Sequence, residues 1–114
     1  MASVENGALT EAVYYTLLSL CAPLHGYGIM QKVEELSKGR VRLAAGTLYG
    51  AINTMLEKGW LMSLPAERHS RKKEYVITEL GKRVAKTELR RLQELLANGE
   101  KILGSIEGGT QWDC

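Results

Sequence analysis

Apolar positions in the first half of the chain fall at helical spacing in three blocks. Val13, Leu17, Leu20 and Cys21 form the first. Thr10 ahead of them is a ready N-cap, and Glu11 sits at the positive end of the resulting dipole. The pattern predicts a helix over 11–22, stopped at Pro23, with Cys21 buried on its apolar face. Gly26 and Gly28 allow a tight entry to a second helix with Ile29, Met30, Val33 and Leu36 inward, closing at Lys38 and Gly39. Arg40, Val41, Arg42 and Leu43 alternate polar and apolar, as a short strand does. A third helix starts at Ala45 and Gly46 and ends at Gly59. Leu48, Ile52, Met55 and Leu56 mark its inner side, and Thr47, Gly50, Asn53, Thr54 and Lys58 its outer one.

Beyond Gly59 the period shortens. Residues 60–64 read as a strand running to Pro65, and residues 73–78 as a returning strand, with Arg68, Arg71, Lys72 and Lys73 at the tip between them. Thr78, with Glu79 after it, caps a long helix running to about Ile106. Ala85, Leu89, Leu92, Leu96, Gly99, Leu103 and Ile106 recur along it at alternating steps of four and three, the seam of a helix that packs lengthwise on a partner. Gly99 and Gly104 are its weak points. The adjacent Gly108 and Gly109 open a tail without periodicity, expected to be mobile.

Three helices followed by a hairpin describe a winged helix-turn-helix. The expected fold is therefore mainly α with a small β-hairpin, a winged helix-turn-helix plus a long C-terminal dimerisation helix. Residues 1–114 would form one domain: a core over 9–78, the dimerisation helix over 79–106 and a tail over 107–114.

Length sharpens this, since 114 residues leave no room for a separate effector domain. A net charge of +2 identifies no partner, so the placement of charge matters more than its sum. Cys21 and Cys114 have neither metal-ligand spacing nor a disulfide framework. Residues 1–7 lack the basic and apolar regions of a signal peptide, and no apolar run approaches the roughly 20 residues of a membrane span. A cytoplasmic protein is expected, with no membrane partner. His25 and His69 have no nucleophile-and-carboxylate setting, and Gly26 and Gly28 lack the strand and further glycines of a phosphate loop. The chain is expected to be no enzyme, with no catalytic residues, metal or cofactor.

A helix enters the major groove of DNA when its outer face is slim and offers hydrogen-bonding groups. Thr47, Gly50, Asn53 and Thr54 meet that description. Asn53 suits an adenine edge, and Thr47 and Tyr49 suit phosphates near the helix N-terminus, although Tyr49 equally suits core packing. A charge run is often only solvated surface, but here it follows directly on a recognition-type helix. Arg71, Lys72 and Lys73 would reach sugar-phosphate, and Arg68 a narrow minor groove.

The stretches Leu24-His25-Gly26-Tyr27-Gly28-Ile29 and Gly46-Thr47-Leu48-Tyr49-Gly50-Ala51-Ile52 resemble the PadR family of transcriptional regulators. So do Leu56-Glu57-Lys58-Gly59-Trp60-Leu61 and the segment from Arg71 to Gly81, and together these cover most of residues 9 to 90. The chain departs from the family pattern at Gly50, where members often have proline, and at Ala44-Ala45, where many have serine-proline; both positions touch the start of the recognition helix. The resemblance implies a repressor that binds double-stranded DNA as a homodimer joined through the C-terminal helix, and some members respond to flat aromatic or phenolic effectors. Trp112 is the residue here that could stack on such a small hydrophobic ligand, against the competing expectation of a disordered tail. A winged-helix module that holds a protein partner is the alternative function.

Overall fold

The computed structural model describes residues 7–65 and 72–104. Among these residues seven elements follow in order: α1 (Glu11–Ser19), β1 (Leu24–His25), α2 (Gly26–Leu36), α3 (Ala45–Glu57), β2 (Leu61–Leu64), β3 (Glu74–Ile77) and α4 (Glu79–Leu103). The strands form one antiparallel sheet in the order β1-β3-β2. The three helices, the winged sheet and the long final helix match the expected class.

The Thr10 hydroxyl accepts from the Val13 amide at 3.2 Å and starts α1 as the sequence predicts. The helix stops at Ser19, three residues before the predicted end, and Cys21 is exposed rather than buried. The cause is tertiary. The carbonyl of fully buried Leu20 accepts from the Ile77 amide at 2.8 Å, so the chain leaves the helix to deliver that carbonyl to the end of β3. Cys21, beyond this turn, faces solvent.

The alternating segment 40–43 is not a strand. After α2 the backbone turns through Lys38 and Gly39, with φ of 56° and 83°. The Ser37 hydroxyl then accepts from the Val41 amide at 2.9 Å, and Arg40 donates to the Glu11 carboxylate at 2.6 Å. Val41 and Leu43 rest half-buried on the core from a loop, which satisfies the alternation without a ladder. The strand that completes the sheet is β1, where Leu24 pairs with Tyr75 and His25 with Glu74. Two residues are too short for a period to show.

Leu17, Leu20, Ile29, Val33, Leu48, Ile52 and Met55 form the centre of the core, each 1% exposed or less. Trp60, Leu61, Tyr75, Ile77 and Val84 close it on the side of the sheet and α4. Thr78 joins the two halves. Its hydroxyl donates to the Gly59 carbonyl at 2.6 Å and accepts from the Gly81 amide at 3.0 Å, while its amide donates to the Trp60 carbonyl at 3.0 Å. A Cβ on Gly81 would overlap the Trp60 carbonyl oxygen and come within 2.7 Å of Ile77 Cγ1, so only glycine lets α4 approach this closely.

Gly81, Val84 and Glu88 are the residues of α4 buried against the body. The Glu88 carboxylate receives two bonds from Arg91, at 2.8 and 2.6 Å, and one from the Leu9 amide at 3.4 Å, which pins the N-terminal segment to α4. The helix passes through Gly99 unbroken and ends at Leu103, with Gly104 at φ 90°. The predicted end at Ile106, the tail and Trp112 lie outside the described residues. The radius of gyration is 16.9 Å, against about 13 Å for a compact chain of this length, because α4 projects beyond the core. Among the described residues no helix is long and apolar enough to cross a membrane.

Arg91 and, after it, the Leu9 amide hold the Glu88 carboxyl below its ordinary value against the opposing effect of burial. A depressed folded-state value adds stability above the unfolded value that is lost as pH falls through the folded one. Glu88→Gln is therefore expected to be about 1–2 kcal/mol less stable than wild type at pH 7. In denaturant melts across pH the gap should close below about pH 4.

Candidate nucleic-acid interface

Leu48, Ile52 and Met55 bury one side of α3 and turn the opposite side to solvent. Gly46 and Gly50 lie on that outer side with nothing within 4 Å of where a Cβ would stand. Together with exposed Thr47 and Asn53 they leave a slim, uncharged strip over the first half of the helix. Ala44, in the N-cap position, makes no side-chain cap, so the first amides of α3 open toward solvent with the positive end of the dipole behind them.

The predicted contact residues divide over this face. Asn53 and Gly50 lie near its middle by helical periodicity, and Thr47 stands beside them at the N-terminal turn. Thr54 and Lys58 line a groove with Leu9, Val13 and Trp60 on one flank. The Thr54 hydroxyl donates to the Gly50 carbonyl at 3.2 Å, and Lys58 Nζ lies 5.1 Å from the centroid of the Trp60 ring. A cation over an indole face is held there, which draws Lys58 toward the body.

Tyr49 occupies the other flank, 44% exposed, and both of its sequence readings hold in part. Its hydroxyl lies over the backbone of Gly26 at the start of α2, where a Cβ would overlap the oxygen and stand 2.7 Å from Cζ. Lys72 and Lys73 are exposed at the foot of β3 and border the same cleft as Tyr49. The outer face of α3 and the base of the wing therefore share one side of the molecule. Arg68 and Arg71, the other two predicted wing contacts, lie outside the described residues.

Three residues in that cleft escaped the sequence reading: His25, Tyr27 and Tyr75. His25 reads as structural from its context, and its Nδ1 does cap α2 by accepting from the Gly28 amide at 3.3 Å. Tyr75 alternates as an inward strand residue. No sequence signal shows that β1 brings both beside Tyr49. Glu57, exposed on the last turn of α3, is a further acceptor on the outer side.

The seam residues of α4 are only partly brought together. Leu89 and Leu96 are 46% and 55% exposed, and Ala85, Leu92, Gly99 and Leu103 are half-buried. Leu95 and Ile102, absent from the predicted seam, are 53% and 54% exposed. They continue, at steps of seven, the rail on which Glu88 faces the body, so the apolar face past Arg91 is wider than a single seam. Ile106 lies outside the described residues.

A slim helix on a helical core, with a sheet as wing, defines a winged helix-turn-helix regulator. The chain belongs to the transcriptional regulator PadR-like family, whose sequence pattern matches residues 15–87, and members of that family are transcriptional regulators rather than enzymes. Solved structures carry the same fold. A PadR family transcriptional regulator from Eggerthella lenta is 24% identical over 82% of this chain and 81% of its own, with a TM-score of 0.66. A PadR family regulator from Clostridium difficile is 23% identical over 81% and 98%, with a TM-score of 0.67. A transcriptional regulator from Clostridium thermocellum is 17% identical over 90% and 99%, also at 0.67. No curated protein sequence matches the chain.

Gly26→Ala is expected to destabilise the fold by about 1–3 kcal/mol, because Tyr49 must leave its seat. Thermal unfolding of Gly26→Ala, Tyr49→Ala and the double variant checks this. The double variant should recover part of the loss, whereas strictly additive losses would show that the two positions do not touch.

Proposed function

We propose that this chain is a cytoplasmic, sequence-specific repressor that binds a palindromic operator as a homodimer. The observation that carries the reading is the uncharged outer strip of α3 flanked by Lys72 and Lys73 on one side of the body. A strip this slim fits a major groove, with Asn53 placed for a bidentate contact to an adenine edge. Thr47, Tyr49, Lys72 and Lys73, joined by Arg68 and Arg71, contact phosphate and set the register, and these contacts carry no sequence information themselves. The glycines at 46 and 50 let the backbone of α3 approach the bases.

The second half of α4 supports the dimer. Leu89, Leu95, Leu96 and Ile102 are about half exposed on a projecting helix, and a second α4 would cover them. Two-fold pairing would set two α3 helices on one side of the dimer, about one DNA turn apart.

The test is affinity for the chain's own upstream promoter against scrambled duplex of equal length across a salt series. Promoter preference should persist as salt rises. For roughly six phosphate contacts per dimer, log affinity should fall with log salt at a slope of about −5. Equal binding to both duplexes would remove the repressor reading.

Leu96→Glu should convert the dimer to a folded monomer in sedimentation measurements and weaken promoter binding by roughly 100-fold or more through lost avidity. A dimeric Leu96→Glu would place the interface elsewhere.

A further inference from the structure

The groove beside Thr54 and Lys58 has a volume of about 330 Å³ and lies between residues 7–10, the start of α1 and the flank of α3. Leu9, Val13, Ala51, Met55 and Trp60 give it apolar walls. The fold already holds these walls in place. Met55 and Trp60 are 1% and 7% exposed, and half-buried Leu9, Val13 and Ala51 pack against the same core. On the outer side the Leu9 amide donates to the Glu88 carboxylate at 3.4 Å, and Thr10 caps α1. A preformed apolar hollow with a few polar groups at its edge is the usual form of a small-molecule site.

Lys58 is the informative residue. It is the one charged side chain among the described residues that line the groove, and no carboxylate among those residues pairs with it. Glu11 follows Thr10 and Glu88 binds the Leu9 amide, but Arg40 and Arg91 hold these two carboxylates. Glu57, next to Lys58 in the chain, does not line the groove. The Lys58 ammonium lies instead 5.1 Å from the centroid of the Trp60 ring. With a cation over the ring and so little of the residue exposed, Trp60 has no free face on which a flat aromatic molecule could stack. The walls beside it are aliphatic.

We propose that this groove binds a small aliphatic carboxylate, its chain against Leu9, Val13, Ala51 and Met55 and its head paired with the Lys58 ammonium. Burial of the chain supplies affinity, and the unpaired cation selects the sign of the head group. Lys58 and Thr54 belong to α3, so an occupant brings negative charge to the flank of the helix that faces DNA. Such a ligand would oppose DNA binding, and in that respect the inference rests on the DNA-binding reading.

Full-length protein titrated with hexanoate, octanoate and decanoate, and with octylammonium at the same ionic strength, tests this through the amide shifts of Ala51 and Thr54. Octanoate should saturate these shifts and octylammonium should not. Each added methylene should tighten binding about threefold until the groove is filled. Lys58→Met keeps the stem of the side chain and removes its charge. With Tm retained it should weaken octanoate binding about fivefold, and Lys58→Arg should restore the affinity. Octanoate at saturation should lower promoter affinity about tenfold. Saturable octanoate binding that leaves promoter affinity unchanged would support the site and overturn its coupling to DNA. Absence of saturation with every alkanoate, equal binding of octylammonium, or a Lys58→Met curve that coincides with wild type would overturn the proposal. Saturation that vanishes in Trp112→Phe would overturn it as well, by placing the ligand at that indole. Failure of wild type to bind any duplex would overturn the repressor reading instead, and the octanoate titration alone would then decide the groove.

Discussion

The meeting of α3, β3 and α4 at Thr78 is the constraint on which the rest of the architecture depends. One side chain caps α4, holds the Gly59 carbonyl at the end of α3 and sits beside an amide bonded to Trp60. Gly81 makes this possible, because any Cβ there would overlap backbone. Packed polar junctions of this kind do not flex continuously, since each bond restricts the geometry of the next. The direction in which α4 leaves the body is thereby coupled to the direction in which α3 presents its outer face. For a two-fold regulator, that coupling sets the spacing of the two reading heads.

A second consequence concerns the division of labour on α3. One helix has to supply core, groove-facing strip and two flanks within thirteen residues. Leu48, Ile52 and Met55 satisfy the core, and glycines at 46 and 50 keep the opposite side thin. The flanks are tied inward, Tyr49 over Gly26 and Lys58 over Trp60, so the side chains next to the strip are ordered before any ligand arrives. Preordered flanks reduce the entropy lost on binding.

Along α4 the change from body to free helix occurs at Glu88 and Arg91. Burying a carboxylate is unfavourable unless it is paired and hydrogen-bonded, and here Arg91 and the Leu9 amide meet that need. Beyond this pair the same rail carries Leu95 and Ile102 instead, and the apolar face continues, about half exposed, with none of the described residues packed over it. The polar pair marks where intramolecular packing gives way to the exposed apolar surface that we propose meets a second copy.

Periodicity and caps alone determined the helices, the two strands of the hairpin, the inner residues of α3 and the role of Thr78 as a cap, because these depend on residues within one or two turns of each other. The motifs around Gly26, Tyr49 and Gly81 carried the family, and so the kind of protein. Tertiary structure decided what depends on partners distant in sequence. It ended α1 at Ser19 so that Leu20 could reach Ile77, placed a two-residue strand at Leu24 where no period could register, and left segment 40–43 as a loop. It also tied Thr54 and Lys58 to one flank of α3 and Tyr49 to the other, and drew His25, Tyr27 and Tyr75 around Tyr49. A pattern along a chain records which side of an element is apolar, but which element lies against that side is settled only when non-local contacts close the core.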